Sequence, residues 1–438
     1  MSSSRRRALR FITVPAALLL CLVIAGPALG VNPTTKRVSI GPAGIEGNGN
    51  SYSSSISADG RFVAFQSDAT NLVANDTNGK PDIFVRDRQT HTTARISVSS
   101  AGVEGNGGSY APSISGNGRY VAFVSDSSNL VANDTNGFLD VYVRDRQAGT
   151  TRRVSISSTG HQGNSDSYNP SISADGRYVA FQSDASNLVV HDTNLAGDVF
   201  VRDRKTGSTT RISINSSGHQ GNGGSYAPSI SAEGRYVALQ SDATNLIAND
   251  TNGAADIFVR DRRAGSTTRV SVSGAGHQGN GGSYTPSISA DGRYVAFQSI
   301  ASNLIAHDTK DSADIFVRDR TAGSTRLVSI SSAGHQGNGG SNSPSISADG
   351  RYVTFVSDAT DLVANDMNGT TDIFVRDRTA GSTRRISISS GGVEGDGASY
   401  SPHISADGRF VVFESVATNL VANDLNGTYD VFVRGPLH

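Results

Sequence analysis

The sequence contains a single cysteine, Cys21, which lies in an apolar run near the N-terminus. Beyond that run the chain has no residue for a disulfide, for thiol catalysis or for sulfur ligation of zinc. The sequence also lacks tryptophan and any excess of charge, because 38 Lys and Arg residues oppose 39 interleaved Asp and Glu residues. Balanced charge offers no basic face, so we expect no nucleic-acid partner.

The N-terminus has the three-part layout of an export signal. The basic stretch MSSSRRRALRF is followed by the apolar run ITVPAALLLCLVIAG and the small residues PALG. This layout predicts a signal peptide over residues 1–30, with cleavage after Gly30. We expect the mature chain, residues 31–438, to be exported to the periplasm or the cell exterior, with no membrane span once the signal is removed.

A repeat of 58 residues fills the rest of the chain. The Gly of the motif Ala-Asp-Gly-Arg and its variants falls at Gly60, Gly118, Gly176, Gly234, Gly292, Gly350 and Gly408. Seven copies at one interval are typical of a stacked or circular repeat architecture.

Each copy contains four short strand patterns and no useful helical periodicity. In the third copy they are PSIS, RYVAFQS, DVFVRDR and TRISINS. The apolar runs YVAF and VFV fit strands covered on both faces, RISIN fits a half-solvated outer strand, and the small SIS fits an innermost strand at a crowded axis. Four-stranded antiparallel sheets repeated around a channel predict an all-β, seven-bladed β-propeller.

The two ends of the repeat array predict how the ring closes. The last copy stops after its third strand, while residues 34–44, TTKRVSIGPAG, match the fourth strand of the other copies. The N-terminal strand should therefore complete the seventh blade and leave no open sheet edge. We expect the closed ring to be a monomer.

The motif PSISADGRYVAF resembles the Pro-x-x-Ser-x-Asp-Gly-x-x-x-x-Phe core of the WD-like repeats of TolB-type propellers. The resemblance covers residues 36–434 and implies the same propeller fold. TolB itself carries an additional α/β domain before its propeller and works in the periplasm beside the Tol and Pal proteins. Here the repeats follow the export signal directly, and this departure counts against the Tol role.

Both long polar loops of each copy should open on one face of the ring, because they join the second strand to the third and the fourth to the next blade. We call this the long-loop face. The turns ADG and KTGST should lie on the opposite, short-turn face. Long loops on a rigid scaffold are where recognition usually occurs, so we expect a protein or cell-envelope polysaccharide partner on the long-loop face.

The first long loop carries an Asp-x-Asn-Gly-x-x-Asp pattern that overlaps part of a calcium-binding loop. Ala74 stands where such a loop usually begins with Asp, and the alternative is that these side chains bond their own backbone in Asx turns. The third copy has Leu195 for the Gly, and the fifth has Lys310 for the Asn. The candidate Ca²⁺ ligands are Asp76, Asn78, Asp82, Asp134, Asn136, Asp140, Asp250, Asn252, Asp256, Asp366, Asn368, Asp372, Asp424, Asn426 and Asp430.

The second long loop carries recurring histidines and tyrosines. Imidazoles near the channel mouth could bind a metal or sense pH, and tyrosines could stack on sugars or anchor a peptide. The alternatives are solvated loop histidines and tyrosines packed between blades. The candidate ligand-binding residues are His161, His219, His277, His335, Tyr110, Tyr168, Tyr226 and Tyr284.

The repeat is broken mildly, for example by Ile300 and Val416 for Asp, by His403 for Ser, and by Glu414 for Gln or Val. An active site is usually a local break of symmetry. We interpret these breaks as scattered over different blades, so the sequence nominates no catalytic residue. We therefore expect a non-catalytic binding platform, with two alternatives: a secreted glycan-active lyase or hydrolase, and a multivalent lectin.

Overall fold

The structure, a computed structural model, describes Met1, residues 32–308 and residues 312–438. Apart from Met1, the predicted signal peptide lies outside the described residues, and so does Lys310. Where the chain is described, no helix is long and apolar enough to span a membrane. Within the described residues the regular structure consists of strands and one 3-10 turn, Pro42–Gly44.

The strands fall into seven antiparallel sheets of four, which confirms the predicted all-β, seven-bladed propeller. In chain order they are β1 (Thr34–Arg37), β2 (Ser51–Ile56), β3 (Phe62–Ser67), β4 (Asp82–Asp87), β5 (Thr92–Arg95), β6 (Ser109–Ile114), β7 (Tyr120–Ser125), β8 (Asp140–Asp145), β9 (Thr150–Arg153), β10 (Ser167–Ile172), β11 (Tyr178–Ser183), β12 (Asp198–Asp203), β13 (Ser208–Arg211), β14 (Ser225–Ile230), β15 (Tyr236–Ser241), β16 (Asp256–Asp261), β17 (Ser266–Arg269), β18 (Ser283–Ile288), β19 (Tyr294–Ser299), β20 (Asp314–Asp319), β21 (Ser324–Leu327), β22 (Ser341–Ile346), β23 (Tyr352–Ser357), β24 (Asp372–Asp377), β25 (Ser382–Arg385), β26 (Ser399–Ile404), β27 (Val411–Ser415) and β28 (Asp430–Gly435).

The ring closes through the N-terminal strand, as the sequence predicts. The first six blades each take four consecutive strands from β2 to β25, and the seventh has the order β26-β27-β28-β1. In that blade Thr34 lies opposite Gly435 and Arg37 opposite Phe432. The last sheet is therefore completed from the other end of the chain, so it has four strands like the other six sheets.

The core lies between neighbouring blades, because the second and third strands of each sheet are apolar on both faces. Val63, Ala64 and Phe65 of β3 are all fully buried. One apolar cluster joins Val412 and Val431 of the seventh blade to Phe65 of the first, so the core is continuous across the closing seam. These contacts confirm the doubly covered strands predicted from YVAF and VFV.

The outermost strand is shorter than the sequence pattern suggests. It ends at Arg95, whereas the alternating pattern RISVS continues beyond it. The Ile96 N–H still bonds Ile83 O, but the Val98 N–H turns back to Ile96 O and Val98 then bridges to Glu104. The chain therefore leaves the blade edge at this turn and begins the loop to the next blade.

The innermost strands line a central channel and each contains a bulge. In β2, Ser53 and Ser54 stand against one residue of β3, and Ser53 has φ 49°. The equivalent residues of the other blades have the same left-handed conformation, although none is glycine. The bulge residues and the residues that follow them line a channel cavity of about 510 Å³. Small side chains at this axis fit the prediction made from SIS.

Candidate functional site

The two long loops lie together on one face, as predicted. The Asn78 side-chain N–H bonds Gly105 O over 3.0 Å, which ties the loop of one blade to the segment that leads into the next. Asn106 and Ser128 are joined in the same way, because the Ser128 N–H donates to Asn106 Oδ1 over 2.9 Å. Hydrogen bonds of this kind recur around the ring, so the long-loop face is a fixed surface of the scaffold.

In six of the seven blades the acidic loop ends in a buried carboxylate cluster that contains an arginine. Asp82, fully buried at the start of β4, accepts the Ser97 hydroxyl, and its Oδ2 lies 3.3 Å from Arg95 Nη1. The same nitrogen pairs with Glu104 and lies 3.8 Å from Asp76 Oδ1. Arg95 is the last residue of β5, the hairpin partner of β4. The strand register therefore places a guanidinium among the carboxylates.

We call each set of loop carboxylates with its arginine, such as Asp76, Asp82 and Arg95, a loop cluster. The loop clusters take two forms. In the acidic form the second loop supplies a third carboxylate, and in the amide form it supplies a glutamine. Gln278, for example, donates to Asp250 over 2.7 Å and to Asp256 over 2.9 Å. The equivalent arginines are Arg37, Arg153, Arg211, Arg269 and Arg385, and the fifth blade has Leu327 at this position.

The asparagines predicted as calcium ligands form Asx turns. Asn78 Oδ1 accepts the Lys80 N–H over 2.7 Å, and Asn78 Nδ2 faces Asp82 at 3.2 Å. The amide nitrogen thus faces the carboxylate, and the amide oxygen accepts the hydrogen bond that closes the turn. The same two contacts are made by Asn136, Asn252, Asn368 and Asn426.

Three acidic loop clusters bring carboxylate oxygens close enough to hold a metal ion. In each, three oxygens lie within 4.8 Å of one another. Burial raises the pKa of Asp82 to about 6 and that of Asp424 to about 7, because one arginine does not offset the desolvation of several carboxylates. The clusters are Glu46, Asp424 and Asp430; Asp76, Asp82 and Glu104; and Asp366, Asp372 and Glu394.

The four candidate histidines lie on the long-loop face but away from the channel. His161, His219, His277 and His335 are all exposed. The turn that carries His161 lies beside the outermost strand of the next blade, because the Thr209 N–H bonds Ser158 Oγ over 2.9 Å. The histidines are therefore placed toward the outer rim rather than at the channel mouth, and the three carboxylate clusters include none of them.

The candidate tyrosines occupy the channel mouth instead. Tyr110, Tyr168, Tyr226 and Tyr284 are half-buried second residues of the innermost strands. The Tyr168 hydroxyl donates to Asp166 over 3.0 Å, and burial together with this bond raises its pKa to about 12. Tyr110 packs against the core between the second and third blades. Packing between blades, the alternative drawn from the sequence, thus accounts for part of this ring.

The repeat pattern did not predict where the exposed apolar side chains lie. Apart from Met1, every large apolar side chain that is exposed in the described chain lies in one of the two long loops. Met367 and Leu425, at 82% and 84% exposure, stand where the five other copies have Thr. The remaining members are Ile45, Val103, Phe138, Val190, Leu195, Ile300 and Val393.

The interpretation that the symmetry breaks are scattered is wrong for two of them. His403 and Glu414 lie on neighbouring strands of the seventh blade, and both reach the first blade across the channel wall. Glu414 Oε2 accepts the Ser53 N–H over 2.8 Å, and His403 Nδ1 bonds Ser54 O. Sequence spacing could have suggested this pair, since position 54 also departs from the repeat, with Ser for Pro.

The short-turn face is occupied by structural contacts. Arg61 pairs with Asp87, and Phe62 lies between the guanidinium groups of Arg61 and Arg146 at 4.7 and 4.5 Å. The turn itself is held by Asp59 Oδ1, which accepts the Arg61 N–H over 3.0 Å. The Ala-Asp-Gly-Arg motif therefore serves turn geometry and contact between blades.

Comparisons with known proteins identify the fold. No protein-family model and no curated protein matches the chain. Among solved structures, an oligogalacturonate lyase in complex with manganese matches with a TM-score of 0.56 at 14% identity, over 93% of this chain and 97% of that one. The β-propeller domain of the Trilobed protease from Pyrococcus furiosus matches at 0.52 and 11% identity, over 84% and 89%.

A putative TolB from Agrobacterium tumefaciens is also similar, at 18% identity with a TM-score of 0.40, over 63% of this chain and 79% of that one. The compared structures thus include enzymes as well as TolB. At identities this low, likeness extends to the fold alone. The chain is a seven-bladed β-propeller, the fold that its repeat predicts.

Proposed function

We propose that the chain is an exported, non-catalytic propeller that binds a partner protein through its long-loop face. The observation that carries the proposal is the confinement of exposed large apolar side chains to this face. Exposed apolar groups that gather on one surface are typical of protein interaction sites. Scattered exposure would have placed some of them on the short-turn face.

Five of the nine exposed apolar side chains lie around three adjacent blade junctions. The Leu425 N–H bonds the Glu46 carboxylate over 3.2 Å, which brings Leu425 beside Ile45 of the first junction. The Met367 N–H bonds Glu394 over 3.3 Å, which brings Met367 beside Val393. We call Ile45, Val103, Met367, Val393 and Leu425 the apolar loop patch. The other four junctions carry the exposed histidines in place of Ile or Val.

A pull-down from the native cell-envelope fraction tests the proposal. The M367T/L425T variant replaces both side chains by the Thr of other copies, so it should fold normally. The control is Lys205→Ala, an exposed residue at the turn after β12 on the short-turn face. The wild type and the control should retain a specific protein that the double variant loses. Equal recovery by all three would contradict a partner site at the apolar loop patch.

Two other outcomes would favour the alternative functions. Release of new reducing or unsaturated ends from a polysaccharide would make the chain a glycan-active enzyme. Saturable polysaccharide binding without turnover, at several equivalent sites, would make it a lectin. Both assays use the same purified mature chain, so the three functions are separated in one set of experiments.

The proposed platform includes calcium at the three acidic loop clusters, as a stabilising ion. Each has one more carboxylate than the amide form, and Asp76 Oδ1 and Asp366 Oδ1 are buried without a hydrogen-bond partner. Hard oxygen ligands of this kind suit Ca²⁺. Calorimetry should therefore give about three ions, one for each acidic cluster. Glu104→Gln, which converts one cluster to the amide form, should remove one ion. Absence of binding would leave Arg95 and its equivalents as the only cations of these clusters.

A further inference from the structure

The junction between the seventh and first blades differs from the other six inside the channel. In the first blade, Ser54 stands where the six other blades have Pro. In the seventh blade, His403 stands where the six others have Ser, and Glu414 stands where they have Gln or Val. All three departures meet at one junction, although they are far apart in the chain. A break of symmetry confined to one place is the usual signature of a specific site.

The regular junctions show what His403 replaces. In six of them the Ile N–H of one blade bonds the Ser hydroxyl of the preceding blade, as Ile114 bonds Ser55 over 3.2 Å. His403 instead directs Nδ1 to Ser54 O, which requires the proton on Nδ1 and leaves Nε2 as an acceptor in the neutral ring. His403 is exposed to the channel space, and desolvation by the surrounding wall lowers its pKa.

The residues at this junction offer acceptors without a protein cation. Ser54 and His403 line the cavity, and Glu414 lies on the strand behind them. Glu414 accepts the Ser53 N–H and the Ser401 hydroxyl, over 2.8 and 2.9 Å, and forms no salt bridge with a described residue. The Ser54 hydroxyl is buried and has no hydrogen-bond partner. A half-buried carboxylate without a cation and a buried hydroxyl without a partner are both costly, and a bound ligand would relieve them.

The mouth of the channel is also negatively charged, like the Glu414 carboxylate. In five blades an aspartate directly follows the second strand. The end of that strand pairs with the start of the innermost strand, so the aspartate lies near the channel mouth. Asp68 is one example, 3.2 Å from the Tyr52 hydroxyl. All five aspartates are exposed, and none pairs with a Lys or Arg among the described residues. They are Asp68, Asp126, Asp184, Asp242 and Asp358. Such a ring attracts cations toward the channel.

We propose that the seventh-to-first blade junction of the channel is a binding site for a primary ammonium group on an alkyl chain. An ammonium group has three N–H donors. The junction offers three acceptors for them, which are the Glu414 carboxylate, His403 Nε2 and Ser54 Oγ. Pro112 and its equivalents give the cavity apolar surface for the alkyl part. The group arrives either as a free amine or as a lysine side chain of a peptide. This site is separate from the apolar loop patch and does not depend on it.

NMR titration of the mature chain tests this site, with the His403 imidazole as the probe and H403S to assign its signal. Butylammonium should shift the signal saturably, whereas the neutral analogue butanol should not. E414Q should weaken binding about tenfold or more, since a charge-assisted hydrogen bond is lost. Glu233→Gln, at an exposed position of the short-turn face, is the matched control and should bind as the wild type does. A second arm with acetyl-Gly-Gly-Lys-amide distinguishes a peptide lysine from a free amine.

The test variants restore residues that other blades carry, so each should fold. The triple variant S54P/H403S/E414Q makes this junction like the rest and should abolish binding, as measured by calorimetry, with an unchanged melting temperature. Equal shifts with butanol, or undiminished binding by E414Q, would overturn the proposal. Failure of the pull-down at the apolar loop patch would leave this result unaffected.

Discussion

Arg61 and Asp87 are joined by two parallel hydrogen bonds, Nε to Oδ1 at 3.0 Å and Nη2 to Oδ2 at 2.7 Å. The pair connects the turn before the second strand to the end of the third. It recurs in the first six blades, whereas the seventh has Gly435 at the position of the Asp. Bidentate pairs of this geometry are stronger than ordinary surface ion pairs.

These pairs predict an acid limit to stability. The Arg119 hydrogen bonds lower the pKa of Asp145 to about 2, from 3.8. Because the folded-state pKa is the lower one, the stabilisation is fully present above about pH 4 and is lost as the pH falls toward 2. Asp145→Asn should lower the melting temperature at pH 7 and make its fall between pH 4 and pH 2 shallower. Asp242→Asn, an exposed residue without an ion pair, should change neither quantity in thermal melts.

Gly176 should tolerate no side chain, because two constraints coincide there. Its φ is +72°, and a Cβ would lie 2.1 Å from the Tyr120 ring of the preceding blade. Gly160 shares the positive φ, at +89°, but a Cβ there would meet nothing within 4 Å. Backbone strain alone costs about 1–3 kcal/mol, and overpacking adds about 1–3 kcal/mol. Urea unfolding should therefore show a larger loss for Gly176→Ala than for Gly160→Ala. Equal losses would mean that the tyrosine ring moves aside.

The arginine of a loop cluster should be more important than its neighbour in sequence. Arg153 Nη1 lies 2.7 Å from Asp140 Oδ2 and 3.1 Å from Asp134 Oδ1, and the Arg153 side chain is only 8% exposed. Removing one partner of a buried ion pair typically costs about 3–5 kcal/mol. Arg153→Ala should reduce the free energy of unfolding by about that amount. Arg152→Ala, at the adjacent exposed position, should have little effect in the same denaturant titration.

Ring closure should depend on the N-terminal strand. Deletion of residues 32–40 would remove β1 and the buried Val38, and would leave β28 as an unpaired edge. Exposed edge strands promote association between chains. We expect a lower melting temperature and concentration-dependent association, measured by light scattering. Lys36→Ala, an exposed substitution within β1, should remain monomeric and melt as the wild type does.

The acidic loops show what a local sequence motif leaves out. The order Asp-x-Asn-Gly-x-x-Asp allowed the turn that Asn78 forms, but it gives no indication that Arg95 reaches the same carboxylates. Arg95 follows Asp82 by 13 residues and meets it only through the register of the β4–β5 hairpin. A local motif records the ligands along the chain, but not the cation that another strand supplies.

The sequence by itself determined the architecture, because a period of 58 residues repeated seven times fixes the number of blades. The matching halves at the two chain ends fix the closure. Only the tertiary structure decided which side chains meet. Closing the ring places Ser54 against His403, although they are 349 residues apart in the chain. The physical reason is that strand patterns are local, whereas the contacts between the first and last blades exist only after the whole ring has formed.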